Sequence, residues 1–260
     1  MVKENYFKMR TTKIEWTERT WNPVTGCTKQ SNGCKHCYAE VMARRLHAMG
    51  NSKYENGFIS TTHPEDIEEP FKWKKASTIF VCSMSDLFHK DVPSDFIDKV
   101  FDVIRQTPQH TYQILTKRAE RMAEYFKTRD IPVNAWIGVT VEDKSTKYRM
   151  DYIRDLKATV RFLSCEPLLE DLGDMNLKNI NWIIVGGESG VQARPMKEEW
   201  ILNIKNQSDL NGIPFFFKQW GTWGIDGIRR NKKANGKLLQ GKVVQNMPIT
   251  DIPNHGIIEK

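Results

Sequence analysis

The sequence predicts an α/β fold: a partial or complete (β/α) barrel of parallel strands, followed by a C-terminal extension. Three observations predict it. From residue 78 onward, apolar strand-like runs bounded by turns alternate with amphipathic helical segments, the pattern of βα units and a parallel sheet. A polar or charged residue follows nearly every run, as at the C-terminal mouth of such a barrel. No G-x-G-x-x-G follows the first strand, which argues against an open doubly wound sheet.

Taken in order, residues 1–13 are polar and basic and read as an N-terminal arm, and the barrel domain is expected over 14–221. The stretch 14–26 ends in the first strand, which delivers Cys27 to a loop rich in Gly, Ser and Asn. A first helix over 38–49 carries Val41, Met42, Leu46 and Met49 at helical spacing. Residues 51–77 are too long for an ordinary βα return, and their acidic run and Lys cluster suggest a short helix or two with a solvated face. Strands follow at 79–82, 112–115, 135–139, 160–163, 182–185 and 215–217. Helices lie near 94–106, 118–127, 144–156 and 197–210. Ser94 is a candidate N-cap behind Pro93, and no helix is evident between 166 and 181. With the strand before Cys27 the count is about seven. Residues 222–260 form a basic extension rich in Gly, Asn and Lys, with a short hairpin expected at 237–239 and 243–245 around Gln240-Gly241. Its Arg229, Arg230, Lys232 and Lys233 are candidates for phosphate contact.

Composition bounds the function. A chain of 260 residues with 39% hydrophobic content, eight Trp and twelve Phe can bury a substantial core. No stretch approaches the roughly 18 apolar residues of a membrane span, and the first residues hold no apolar signal core. A cytoplasmic protein without a membrane partner is expected. The net charge of +7 is compatible with a nucleotide or nucleic-acid substrate.

Three of the five cysteines, Cys27, Cys34 and Cys37, stand in one short stretch with the spacing C-x6-C-x2-C. A disulfide would leave one thiol over. Structural zinc wants four ligands, usually two pairs, and no second C-x-x-C exists; His36 would have to crowd between its neighbours to supply a fourth. An iron–sulfur cubane held by three cysteines leaves one iron open for a small molecule. Zinc and three ordinary thiols stay open as alternatives at this point.

TKIEWTERTWNPVTGCTKQSNGCKHCYAE, together with FVCSMSDLFHKDVP at 80–93, FLSCEPLLE at 162–170, IIVGGESGVQARPM at 183–196 and PFFFKQWG at 214–221, resembles a phage-associated radical-SAM-like family with a three-Cys motif. The usual radical SAM spacing is C-x3-C-x2-C, so the first interval here is three residues longer. The resemblance implies a partial barrel of the radical SAM type and a 4Fe–4S cluster on Cys27, Cys34 and Cys37. It further implies S-adenosyl-L-methionine on the open iron, and its reductive cleavage to a 5′-deoxyadenosyl radical that takes hydrogen from a substrate. A flavodoxin or ferredoxin type electron donor is the implied partner. Two rival readings are a nucleic-acid-binding protein with structural zinc, and a cluster-based sensor.

With that cofactor in view, the residues just past each strand acquire candidate roles. Its ammonium, carboxylate and ribose diol call for carboxylates, cations and hydroxyls. The cofactor-binding candidates are Ser83, Ser85, Asp86, Thr116, Lys117, Thr140, Glu142, Gly186, Gly187 and Glu188. Gly186-Gly187-Glu188 resembles the radical SAM Gly-Gly-Glu element but follows a late strand instead of an early one, and its two glycines would let a ligand approach the backbone. Lys218 is a further cation. Cys165 and Glu166, at a strand end, are the candidate catalytic pair; the Cys165 thiol reads either as a small buried apolar residue or as a hydrogen-atom donor or metal ligand open to the cavity.

Overall fold

The computed structural model describes residues 12–250. The arm expected at 1–13 lies, except for its last two residues, outside them, as do the last ten residues of the C-terminal extension. The main sheet has seven parallel strands in the order β1 (Arg19–Trp21), β4 (Thr78–Val81), β5 (Thr111–Thr116), β6 (Ala135–Thr140), β7 (Arg161–Cys165), β8 (Trp182–Gly186) and β9 (Phe215–Gln219). Each new strand adds beside the last, as right-handed βα units do. Among the described residues β1 and β9 do not pair, so the sheet is a half-barrel and not a closed one.

Alternation along the strands separates two cores. Val81, Ile114, Ile137, Leu163, Val185 and Phe217 face the helices. Trp16, Phe80, Trp136, Phe162, Trp182 and Phe216 fill the concave side with interlocked rings, such as Trp16 on Phe80 at 4.6 Å and Trp136 on Trp182 at 6.0 Å. The hollow beneath the mouth is thus a packed floor and not a channel.

Four of the helices are α1 (Tyr38–Ala48), α2 (Ser94–Gln106), α3 (Ala119–Tyr125) and α4 (Glu198–Leu210). Helix α2 buries Phe96, Ile97, Val100, Phe101, Val103 and Ile104, a complete amphipathic face. Helix α1 does not follow its apolar stripe. It docks through the small Ala39 and Ala43, while Val41 (68% exposed), Met42 (43%) and Met49 (70%) face solvent. The helix expected at 144–156 is a 3-10 helix, Lys144–Met150, opened by a capping box between Asp143 and Thr146. Within it Arg149 turns inward to a buried carboxylate.

The return over 51–77 holds three single-turn 3-10 helices and a strand, β3 (Thr61–Thr62), antiparallel to β2 (Val24–Thr25). Its task is local. The amide of Cys27 donates to the Phe58 carbonyl at 3.0 Å, fixing the start of the cysteine loop. Gly26 is required there: its φ is +72°, and a Cβ would stand 2.1 Å from the Ile59 carbonyl oxygen.

In the extension, α5 (Lys232–Asn235) precedes a hairpin of β10 (Leu238–Leu239) and β11 (Lys242–Val243), turned by Gln240 and Gly241, both with positive φ. The amide of Phe217 then donates to the Val244 carbonyl at 2.7 Å, so the chain lies along the β9 edge. Lys237 and Gln245 both reach Glu15, ahead of β1, at 2.7 and 2.6 Å, bridging the unpaired side of the half-barrel. No helix among the described residues is long and apolar enough to cross a membrane.

Candidate functional site

The cysteine loop lies across the C-terminal mouth of the sheet, held by residues from four different strand ends. Thr28 anchors its first part. Arg118, just past β5, donates to the Thr28 carbonyl and hydroxyl at 3.0 Å each, and approaches the Cys27 sulfur at 3.5 Å. The fully buried His89 contributes a second bond to the same hydroxyl at 2.8 Å. Because its Nδ1 accepts from the Asp91 amide, the proton sits on Nε2 and is donated to Thr28. Burial, reinforced by the Arg118 charge, holds this imidazole below the usual histidine range.

Glu142 anchors the middle. It is fully buried, pairs with the buried Arg149 at 2.7 Å, lies 3.5 Å from the Lys117 ammonium, and accepts from the Ser31 hydroxyl. The Asn32 amide donates to Asp143 at 3.1 Å. Burial opposes ionisation of Asp143, but bonds from Ser145, Asn32 and Thr146 more than offset it and hold the carboxyl below its usual range. From the far side, Arg194 donates to the Asn32 carbonyl at 3.1 Å. Gly33 lies so close to Glu142 that a Cβ would stand 2.7 Å from its Oε1.

The three thiols so placed are unpaired and half-buried, whereas Cys82 and Cys165 are buried. Burial pushes the Cys27 thiol up to about 11, with Asp86 adding to the shift and Arg118 opposing it. Burial likewise raises Cys37. Among the described residues, the one set of three or more ligand types with all donor atoms within 4.8 Å is His63, Glu65 and Asp66, so the three sulfurs are set more widely than that. Thiolates on a single tetrahedral zinc lie about 3.8 Å apart for bonds of about 2.3 Å, a closer set than the loop presents.

Most of the expected cofactor ligands are already engaged within the protein. Asp86 accepts from Thr116, the Lys117 and Phe88 amides, and Arg118 at 2.7 to 3.1 Å. Ser83 donates to Asn22 at 3.1 Å and Ser85 to the Val24 carbonyl at 2.7 Å, both tying the β4 end to the β1–β2 corner. The Thr140 carbonyl takes a bond from Arg149 at 2.8 Å. Glu188 is held by both prongs of Arg194, at 2.8 and 2.6 Å, so its carboxylate positions the loop through Arg194. That pairing, before the opposing effect of burial, raises the Arg194 guanidinium further above neutrality.

Gly187 serves packing, since a Cβ there would meet the Trp220 carbonyl oxygen at 1.9 Å; at Gly186 it would meet Glu166 at 2.5 Å. Glu166 itself is at the mouth, partly exposed, paired with Lys218 at 2.9 Å and accepting from Ser164 at 3.4 Å. Lys117, Glu166 and Lys218 are the expected residues left facing the hollow. Cys165 is not: it shares the helix-side core with Leu163 and Val185, and is wholly buried. Its neighbours Ser164 and Glu166 turn the other way, as strand alternation demands. Burial drives its thiol far above the usual range. The expectation of a thiol open to the cavity is corrected.

Arg118, Arg149 and Arg194, with Thr28, Ser31, Asn32 and His89, form the scaffold of the site outside the expected set. Their pairings join positions up to 162 residues apart, so only the presence of arginines next to strand ends hinted at them.

Comparison with known proteins gives a family match. A model for a family of proteins of unknown function, DUF5131, covers residues 11–248, and the chain belongs to that family. No curated protein and no solved structure matches the chain.

Proposed function

We propose that this DUF5131 member is a radical S-adenosylmethionine enzyme, its half-barrel being of the radical SAM type. One observation carries the reading: three unpaired thiols, Cys27, Cys34 and Cys37, on a loop clamped over the C-terminal mouth of a parallel half-barrel. Active sites sit at that end of βα barrels. The three sulfurs do not all lie within 4.8 Å of one another, so the reading rests on the number of thiols and their place at the mouth, where three thiolates would leave one iron of a cubane open.

When bound, a 4Fe–4S cluster would hold S-adenosyl-L-methionine at that iron and supply the electron for its reductive cleavage. The chain's own residues do the rest. Arg118 and His89 fix Thr28 and therefore Cys27. Glu142 and Asp143 fix the turn Asn32–Cys34, which orients Cys34. Glu166 and Lys218, which face the hollow, are the groups placed to bind the cofactor's ammonium and carboxylate. The aromatic floor of Trp136, Phe162 and Trp182 excludes water from below. An oxygen-sensitive cluster of this kind belongs in a reducing, cytoplasmic setting, with a flavodoxin or ferredoxin type donor.

The test is anaerobic reconstitution with iron and sulfide, metal counting, then dithionite and S-adenosylmethionine. About four irons per chain and release of 5′-deoxyadenosine, both lost in Cys34→Ala, support the reading. One zinc, no iron uptake and no cleavage overturn it.

A further inference from the structure

Beside the Cys27 end of the loop lies a pocket of about 220 Å³ whose lining includes Gln30, Lys90, Lys117, Arg118, Arg121 and Tyr148. Four cations from two separate segments meet there. Arg118 is spent on Asp86 and Thr28. Arg121 is different: its guanidinium donates to the carbonyl oxygens of His89 and Val92, which are neutral acceptors. Burial holds Arg121 below the usual arginine range, with Asp86 opposing the shift and the neighbouring Arg118 charge adding to it. Lys117 leans at 3.5 Å on a Glu142 already shared with Arg149 and Ser31. Lys90 pairs with Asp91 on the surface, an interaction that solvent makes weak.

The rim adds aromatic surface. Tyr148 and Tyr152, 42% and 38% exposed, stand edge-to-face with centroids 6.3 Å apart. Tyr152 also interacts with Glu120, another residue of the pocket wall. A carboxylate would satisfy one of these cations. A phosphate has several oxygens to meet Lys90, Lys117 and Arg121 together, and a base attached to it has a ring to stack on.

We propose that this pocket binds the phosphate of a nucleotide, with its base against Tyr148 and Tyr152, and that this nucleotide is the substrate. The assignment rests on the enzymatic reading for what then happens to the nucleotide; binding itself needs no cluster. The phosphate chemistry is shared by a free nucleotide and by a nucleotide within a single strand, and the experiment separates them.

Fluorescence polarisation of a fluorescein-labelled single-stranded oligothymidylate, with the full chain, is measured across ~50–200 mM salt. Unlabelled AMP and inorganic phosphate serve as competitors. The variants are Lys90→Glu, Lys117→Gln and, on α4 as a remote control, Lys205→Gln. Saturable binding that weakens about tenfold in each pocket variant, with the salt slope reduced by about one, and stays unchanged in Lys205→Gln, supports the proposal. Displacement by AMP at lower concentration than by phosphate identifies a free nucleotide, and tight strand binding that AMP does not displace identifies nucleic acid. No saturable binding, equal loss in all three variants, or phosphate competing as well as AMP overturns it. Iron content and S-adenosylmethionine cleavage of the same preparations report separately on the enzymatic reading. Circular dichroism melting confirms that Lys90→Glu, at an exposed position, is folded.

Discussion

Removing the Glu142 carboxylate separates what it does for the fold from what it does for the loop. Glu142 and Arg149 are both essentially inaccessible, and their contact is 2.7 Å. In Glu142→Ala the guanidinium keeps its bond to the Thr140 carbonyl but loses its counter-charge, in a place where its Nε already lacks a partner. An uncompensated buried charge of this kind costs about 3–5 kcal/mol. At about 2–4 °C per kcal/mol for a chain approaching this size, the melting midpoint falls by about 6–20 °C. The double variant Glu142→Leu/Arg149→Met removes both charges at similar volume, and such apolar replacement of a buried pair is often neutral. It therefore regains most of the lost stability in differential scanning calorimetry. It does not regain the loop, because Ser31 and Lys117 have lost their acceptor. The three loop thiols in the double variant then react faster with a disulfide reagent than in the parent. A single variant that melts within about 2 °C of the parent, or a double variant no more stable than the single, refutes the buried-pair argument.

In the native metal-free protein, a thiol reagent titrates Cys27, Cys34 and Cys37 before unfolding and Cys82 and Cys165 only on unfolding; five equally reactive thiols would contradict the burial assigned to the last two. Gly187→Ala drives a Cβ into the backbone oxygen of Trp220 and costs more than about 2 kcal/mol, whereas Gly173→Ala, with open space around it but a φ of +59°, costs about 1 kcal/mol, which paired urea melts can compare. His63, His89 and His110 are all depressed, mainly by burial, so the unfolded chain binds more protons than the folded one as pH falls from about 6.5. Their stabilisation is full above that pH and is lost below it, by at most about 1.4 kcal/mol per pH unit for each; a melting midpoint flat between pH 7 and pH 5 would exclude the shift.

Much of the scaffold was legible because its signal is local. Apolar runs such as WIIVG and AWIGVT are buried on both faces, as parallel strands are, and they read as strands without any tertiary knowledge. The same holds for α2, whose pattern matches the face it buries. Three features were not local. Cys165 had two readings because a strand end projects neighbours to opposite sides, and the register that sends Ser164 inward sends Cys165 to the helices. The stripe of α1 gave a false core face because the helix docks through Ala39 and Ala43, whose small side chains let the backbone come close. Residues 144–156 kept a helical pattern, but only Lys144–Met150 is helical, as a 3-10 helix whose Arg149 pairs with the buried Glu142.

The rim residues teach a related point about candidate sites. Charged groups after every strand looked like a ring of ligands, yet Asp86, Glu142 and Glu188 are each claimed by an arginine: Arg118, Arg149 and Arg194. Two of those arginines, Arg118 and Arg194, also donate to carbonyls of the cysteine loop, at Thr28 and Asn32. The third leaves its carboxylate free to take the Ser31 hydroxyl. Each ion pair therefore acts on the loop, and the loop's shape is imposed from the strand ends instead of arising from its own Gly- and Asn-rich sequence. A loop built that way is ordered by the strand ends in advance of any ligand, which lowers the ordering cost of binding one. It also explains why an exposed, flexible composition sits at the centre of the molecule: the sequence of the loop supplies sulfur, and the barrel supplies its geometry.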